Sequence, residues 1–397
     1  MKNSKSALLA CAAAIGISCG APGAHADALT TPSMAGPLAA NPNPFSVDLP
    51  NWFGDAGGKI YIGGDVSGLA YVQSNATHAT HGDDDSGIDL SNGQVFIQKT
   101  DGWLQFFVDA GAYSFPTVGV PYTNMSSTVT GTFGYVPEAY LKIQGEGALS
   151  SFSLEGGKLP TLIGDEYGFT YQNMNIERGL LWNNEPIVSR GAQLNFASGP
   201  ITISFSLNDG TYTNRYNVLS GLASYAFNGG ADTVSFTASG NLGRGNFSFL
   251  NSGSVYDLIY THTSGPWTIS PYIQFNSTPK VFLGRGSTVW GGAVLASYAF
   301  NDNWKLAARG EYESESGTRG VFNSPDLLGY GPGSSAWSIT VTPTYQWKWF
   351  YARADVSYVG ISNFTPDLGF GKAAPFDGPT GDASSQVRGM FEIGALF

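Results

Sequence analysis

From Lys59 to Phe397 apolar and polar residues alternate, the period of a strand whose two faces meet different surroundings. In Trp267 to Asn276 one face is Trp267, Ile269, Pro271, Ile273 and Phe275; the other is Thr268, Ser270, Tyr272, Gln274 and Asn276. Trp304 to Glu313 and Trp337 to Trp347 repeat the pattern. Such a strand suits hydrocarbon on one side and a wet lumen on the other. The alternation predicts sixteen strands, at 59–72, 94–99, 103–113, 135–145, 151–158, 190–198, 201–208, 218–227, 232–241, 254–263, 267–276, 289–300, 304–314, 336–346, 350–359 and 386–397.

The connections sharpen the picture, because they alternate in length. Short ones such as Thr100-Asp101-Gly102, Gly199-Pro200, Ser264-Gly265-Pro266 and Asn301-Asp302-Asn303 carry hairpin chemistry. Long ones fall at 73–93, 114–134, 159–189, 209–217, 242–253, 277–288, 315–335 and 360–385. The predicted class is all-β: a transmembrane antiparallel β-barrel with short periplasmic turns and long external loops. Trp103, Trp267, Trp304, Trp347 and Trp349 fall at the short-turn ends of strands, Trp290 and Trp337 at the long-loop ends. Indole prefers the headgroup level, so these seven predict two aromatic girdles.

The N-terminus lies outside this pattern. Lys2 and Lys5, the apolar run Ala7 to Ile17 and Ala24-His25-Ala26 predict a signal peptide over residues 1–26. Residues 27–58 read as a periplasmic lead-in, and the barrel as 59–397. Cys11 and Cys19 leave with the signal, which excludes thiol catalysis, disulfides and cysteine metal sites. Losing Lys2 and Lys5 leaves 17 Lys and Arg against 30 Asp and Glu, so the net charge moves from −11 to −13. No basic patch exists to bind nucleic acid. The expected location is the outer membrane of a Gram-negative bacterium, with its lipid and lipopolysaccharide as surroundings.

Two stretches carry family resemblances. Gly156 to Phe196, GGKLPTLIGDEYGFTYQNMNIERGLLWNNEPIVSRGAQLNF, is similar to β-barrel porins related to OmpL, through Gly157, Lys158, Leu159, Thr161, Ile163, Gly164, Glu166, Asn173, Asn175, Arg178 and Pro186. Trp52 to Gly58 resembles the opening motif of carbohydrate-selective porins, with Ala56 where that motif has a second Trp. Both resemblances imply a sixteen-stranded channel, and the wider porin group implies a homotrimer. The final strand, ending on Phe397, looks like the signal read by the barrel-assembly machinery.

Sixteen strands enclose too wide a lumen for side chains to fill, so a channel is the default. Lys305, Arg309, Arg353 and Arg388 lie on neighbouring late strands and predict a basic wall. The long loop 159–189 carries Asp165, Glu166, Glu177 and Glu185. One expectation is that it folds inward and opposes the basic wall across a constriction, setting a transverse field. The other is that it caps the barrel or meets a neighbouring subunit. Further inward charges are Asp65, Asp109, Glu138, Lys142, Glu155, Asp257, Glu311, Glu313, Asp355 and Glu392. Inward aromatics, Phe96, Phe107, Tyr140, Tyr272 and Tyr351, either stack on sugars or fill the wall.

No cofactor is expected. Asp83, Asp85 and Asp89, with His78 and His81, form a weak candidate for a structural divalent cation in an external loop. His262 is the one histidine on a predicted strand, and a hydrolase needs a nucleophile beside it. The leading reading is a porin passing small hydrophilic solutes by passive diffusion. Its rivals are a loop-closed structural or adhesive barrel and a barrel enzyme.

Overall fold

The computed structural model describes residues 36–39, 41, 44–49, 58–78, 80, 82–210, 212, 214–242, 253–280, 285–321, 324–372 and 381–397. The predicted signal, the Trp52 to Gly57 part of the sugar-porin motif and His81 lie outside the described residues.

The strands are β1 (Phe45–Leu49), β2 (Gly58–Gln73), β3 (Ser86–Lys99), β4 (Leu104–Tyr113), β5 (Glu138–Gln144), β6 (Phe152–Pro160), β7 (Val188–Ser198), β8 (Ile201–Asn208) and β9 (Val218–Phe227). They continue with β10 (Asp232–Asn241), β11 (Ser254–Ser264), β12 (Trp267–Thr278), β13 (Ser287–Ala299), β14 (Trp304–Glu315), β15 (Ser335–Trp347), β16 (Phe350–Ser362) and β17 (Ser385–Leu396). From β2 onward each strand pairs antiparallel with the next, and β17 returns to β2, Arg388 against Gln73 through Leu396 against Asp65. This is the expected barrel of sixteen strands, closed so that no spanning strand is left with a free edge. At the seam the Gly64 and Phe397 amides each donate to the other's carbonyl at 2.9 Å. A side chain at Gly64 would meet the Phe397 ring, its Cβ 2.8 Å from Cζ.

Two strands differ from expectation. Part of the lead-in is ordered: β1 pairs with β2 from Phe45 against Ile62 to Leu49 against Gly58. It covers the length of β2 edge that runs past Phe397. Phe-Ser-Val-Asp-Leu does alternate, but it is five residues long and flanked by Pro44 and Pro50, which hides it. The other difference is β3, which begins at residue 86 rather than 94. Its pairing with β2 slips between Ser67 and Gly68, leaving Ser91 as an extra residue. Ile88 and Leu90 therefore share the outward face with Val95 and Ile97 although their numbering differs in parity. A β-bulge of this kind erases a period-2 signal.

Short turns gather at one end of the barrel and long loops at the other. The outer wall is apolar and open: Leu141, Phe205, Ile273, Val294, Ile339, Phe391 and Ile393 are all exposed. So continuous an apolar belt suits hydrocarbon, not water. Trp103, Trp267, Trp290, Trp304, Trp337, Trp347 and Trp349 are exposed at the strand ends. Neighbouring rings join them: Trp267 with Tyr298 at 4.7 Å and Trp304 with Tyr345 at 4.9 Å at one end, Phe275 with Trp290 at 4.4 Å at the other.

The alternation makes a pairwise prediction on β15, where Ile339 is exposed outside and Thr340 fully buried inside. Ile339→Arg should destabilise the lipid-embedded barrel by about 2–4 kcal/mol. Ile339→Ala should cost far less. Denaturant unfolding in phosphocholine vesicles measures both; an arginine tolerated as well as the alanine would refute the outward assignment.

Candidate functional site

The site is the lumen and the loop inside it. Between β6 and β7, residues 161–187 leave the wall, cross the lumen and reach the far side. Residues 169–182 are buried along their whole length. A buried segment without regular structure must find partners for its peptide groups, because each unpaired group costs as much as a lost hydrogen bond. Polar residues of the opposite wall supply them. The Glu177 amide donates to Asp355 (2.8 Å) on β16, and the Leu180 amide to Glu311 (3.0 Å) on β14. Arg309 donates to the Glu177 carbonyl (2.7 Å) and Arg353 to the Asn173 carbonyl (3.1 Å). The loop's side chains join in: Thr170 donates to Glu392 (2.7 Å) and Asn175 to Thr342 (2.5 Å).

Charges are matched at contact distance. Arg309 meets Glu166 at 2.7 Å and Glu311 at 3.0 Å, and Arg388 meets Glu177 at 2.7 Å. Arg353 pairs its charge with Glu392 on the neighbouring strand, and reaches the loop only through the Asn173 carbonyl. These three arginines are at most 1% exposed, so the loop lies on the wall. The expected transverse field across a water gap therefore does not describe Arg309, Arg353 and Arg388. Oppositely charged groups touch there, and no water separates them. Lys305 departs differently: its ammonium donates to the Pro37 carbonyl of the N-terminal segment. Of the loop acids, Glu185 accepts from Gln274 on β12 (2.7 Å), and Asp165 is paired with Ser270.

Apolar packing completes the seat. Met174, Leu180 and Leu181 pack with Val118 of the 114–137 loop against Tyr272, Ala293, Leu295 and Ala307 of the wall. Burying each leucine contributes about 2 kcal/mol. Two glycines make room. A Cβ on Gly179 would lie 2.0 Å from the Glu311 carboxylate, and one on Gly291 would lie 3.1 Å from Leu181.

The remaining inward charges are dispersed. Asp65 accepts from Tyr351 and Ser67, each at 3.1 Å, and Asp109 accepts from Gln94 at 2.6 Å. Glu138 stands opposite Asp109 in the β4–β5 ladder. Asp257 accepts from Thr237 (2.7 Å) and from the Gly164 amide (3.1 Å), and Asp355 accepts from Thr342. Glu313 is buried on β14. The Lys142–Glu155 pair is looser, 3.6 Å apart, and its lysine side chain is 30% exposed. That places a water-accessible part of the lumen along β5 and β6. Phe96, Phe107, Tyr272 and Tyr351 are buried, Phe96 packing on Tyr171 (5.4 Å) and Phe107 on the half-buried Tyr140 (5.6 Å), so these four form no open stacking rail.

Several contributors were not anticipated. Arg178 is fully buried between the rings of Phe115 (5.8 Å) and Trp182 (5.6 Å). The Val118 amide donates to the Arg178 carbonyl and the Arg178 amide to the Pro116 carbonyl, each at 3.0 Å, in a parallel bridge centred on Thr117. Tyr330 donates to the Gly119 carbonyl (2.8 Å), so a third loop joins the filling. The available signal was apolar residues within long loops, notably Leu180, Leu181 and Trp182, which must be buried somewhere.

The weak cation candidate disperses. Asp83 accepts from Gln73 (2.8 Å), from the Thr77 amide (3.0 Å) and hydroxyl (2.5 Å), and from the His78 (2.9 Å) and Tyr122 (3.1 Å) amides. Burial pushes its pKa up, but these bonds outweigh it and hold the carboxyl below its ordinary value. Asp89 is occupied by Tyr122 (2.9 Å) and the Met125 amide (2.6 Å), while Asp85 is exposed beside His78 (3.8 Å). Among the described residues no three such groups converge. His262 meets Asp232 at 2.6 Å on the outer rim with Tyr260, which also donates to Asp232 (2.6 Å). That cluster lies away from the lumen.

A closed barrel with an apolar belt, a polar interior and an inward loop defines the class of membrane channel barrels. The chain belongs to the family described as "Putative beta-barrel porin-2, OmpL-like", whose model matches residues 59–397. Among curated proteins none matches significantly. Solved structures share the fold. The anion-selective porin from Comamonas acidovorans has a TM-score of 0.57 at 11% identity, covering 85% of this chain and 99% of that one. The loop L8 deletion mutant of OmpT, an outer membrane protein of Vibrio cholerae, gives 0.55 at 10%, covering 85% and 99%. OmpF of Salmonella typhi gives 0.53 at 12%, covering 88% and 100%.

Removing one member of a buried pair strands the other. Glu177→Leu should therefore destabilise the protein by about 3–5 kcal/mol. It should also expose 161–187 to protease. Adding Arg388→Met should recover most of the loss. Denaturant unfolding with limited proteolysis checks this; a double variant no better than the single one would show that the pair does not hold the loop.

Proposed function

We propose that this porin sits in the outer membrane and passes small hydrophilic solutes by passive diffusion, without energy coupling. The observation that carries the reading is the inward loop, anchored to the wall through Arg309 and Arg388, which narrows a polar lumen. Solutes then pass where the wall stays wet, along Lys142 and Glu155. Selectivity follows from width and local charge. Neighbours in the fold include the trimer form of OmpT, an outer membrane protein of Vibrio cholerae, and a homotrimer in lipid and lipopolysaccharide is the assembly we propose here too. Folding through the barrel-assembly machinery, with the Phe397 strand as its signal, belongs to the same reading. The chain is a channel and not an enzyme.

A specific observation favours a second reading, a barrel closed by its loops. Loop residues and the inner faces of β14 to β17 bury one another, with Thr340, Thr342 and Thr344 wholly covered.

Liposome swelling with small sugars separates the two. Swelling is expected for the full chain, and deletion of 163–180 should raise single-channel conductance several-fold. Conductance unchanged by the deletion would remove the loop as a constriction. Lys142→Glu should shift the reversal potential under a salt gradient toward cations; an unmoved potential would place the conducting path elsewhere.

A further inference from the structure

The N-terminal segment enters the lumen from the short-turn end. Leu38 is 4% exposed, buried in a cluster that includes Phe96, Phe107, Tyr171, Tyr351 and Leu396. The Gly36 amide donates to the Gln172 carbonyl of the inward loop at 2.9 Å. A Cβ on Gly36 would lie 2.2 Å from the Asn173 carbonyl oxygen, so only glycine permits this approach. Wall residues hold the segment from below. The Ala39 amide donates to the Gln346 side chain at 2.7 Å, and Gln346 donates back to the Ala39 carbonyl at 2.8 Å. Lys305 donates to the Pro37 carbonyl. Lys305 and Gln346 each stand one residue from the short-turn end of their strands.

A peptide held this way, by one apolar anchor and side chains imitating a ladder, is bound to the wall without being a strand of it. Its contacts are few beside those of a spanning strand, which places it at the low-stability end of the fold. We propose that residues 36–39 are an internal plug: docked, they block the short-turn mouth beneath the inward loop, and their withdrawal opens it to solutes. This rests on the porin reading above. The masking of the lumen by this segment is separate from the masking by residues 161–187, since the two approach from opposite ends.

The test uses the full chain in planar bilayers. Leu38→Glu places a charge in the apolar cluster and changes no residue of the barrel wall. It should raise conductance or open fraction several-fold. The pair Ala39→Cys with Gln346→Cys should stay closed when oxidised and open on reduction; the chain's own cysteines, Cys11 and Cys19, precede the expected cleavage site. In a third variant, Leu38→Cys, a membrane-impermeant maleimide should react far more slowly in the folded barrel than in denaturant. A conducting parent whose Leu38→Glu variant conducts equally overturns the plug alone. Equally fast labelling of folded and unfolded Leu38→Cys overturns the docking. If parent, variant and reduced pair are all silent, the plug and the porin reading fall together.

Discussion

A peptide amide facing hydrocarbon has no water to bond, so every backbone group in the wall must be paired within the protein. That constraint closes the sheet, β17 onto β2, and fixes the two-residue period from which all else follows. Once the wall is a strict alternation, its inner face is polar by default, and the polar residues there become available as partners. The inward loop uses them. Its peptide groups, irregular and buried, are satisfied by Glu311, Asp355, Arg309 and Arg353. The constraint that makes the barrel thus also makes its interior able to hold non-repetitive chain.

Charge pairing inside the lumen has a structural role. A guanidinium buried without a partner carries a penalty of several kcal/mol, and contact with a carboxylate offsets it only when further hydrogen bonds complete the geometry. Arg388 meets that condition: it binds Glu177, the Thr117 carbonyl and Gln73, so one side chain joins two loops to the wall. Arg178 is held differently: it donates to the Ile176 and Ser114 carbonyls, each at 3.3 Å, and lies between two aromatic faces. Charge that reads in sequence as a basic stripe is in the fold largely spent on holding loops.

Most of the wall was legible in the sequence because alternation is local. Where alternation is interrupted, it misled: the bulge at Ser91 hid the first half of β3, and the prolines around Phe45–Leu49 hid β1. The interior was legible only in outline. That 161–187 carried acids and β14, β16 and β17 carried arginines could be read directly, and so could their attraction. Whether they would meet at 2.7 Å or across water depended on loop length against barrel width, and on Gly179 and Gly291 letting the loop settle. Sequence periodicity contains none of those distances. Asp83 and Asp89 show the converse: a spacing that suits a cation was taken up by amides and hydroxyls within the same loops.

The inward loop starts and ends on β6 and β7, yet its firmest attachments are on β14, β16 and β17, across the lumen. It works as a tie-beam across the diameter. A cylinder without one is free to flatten when the surrounding bilayer presses unevenly, and its cross-section would breathe with that pressure. With the beam in place, opposite walls keep a fixed separation. The cross-section is then a property of the protein and not of the membrane around it.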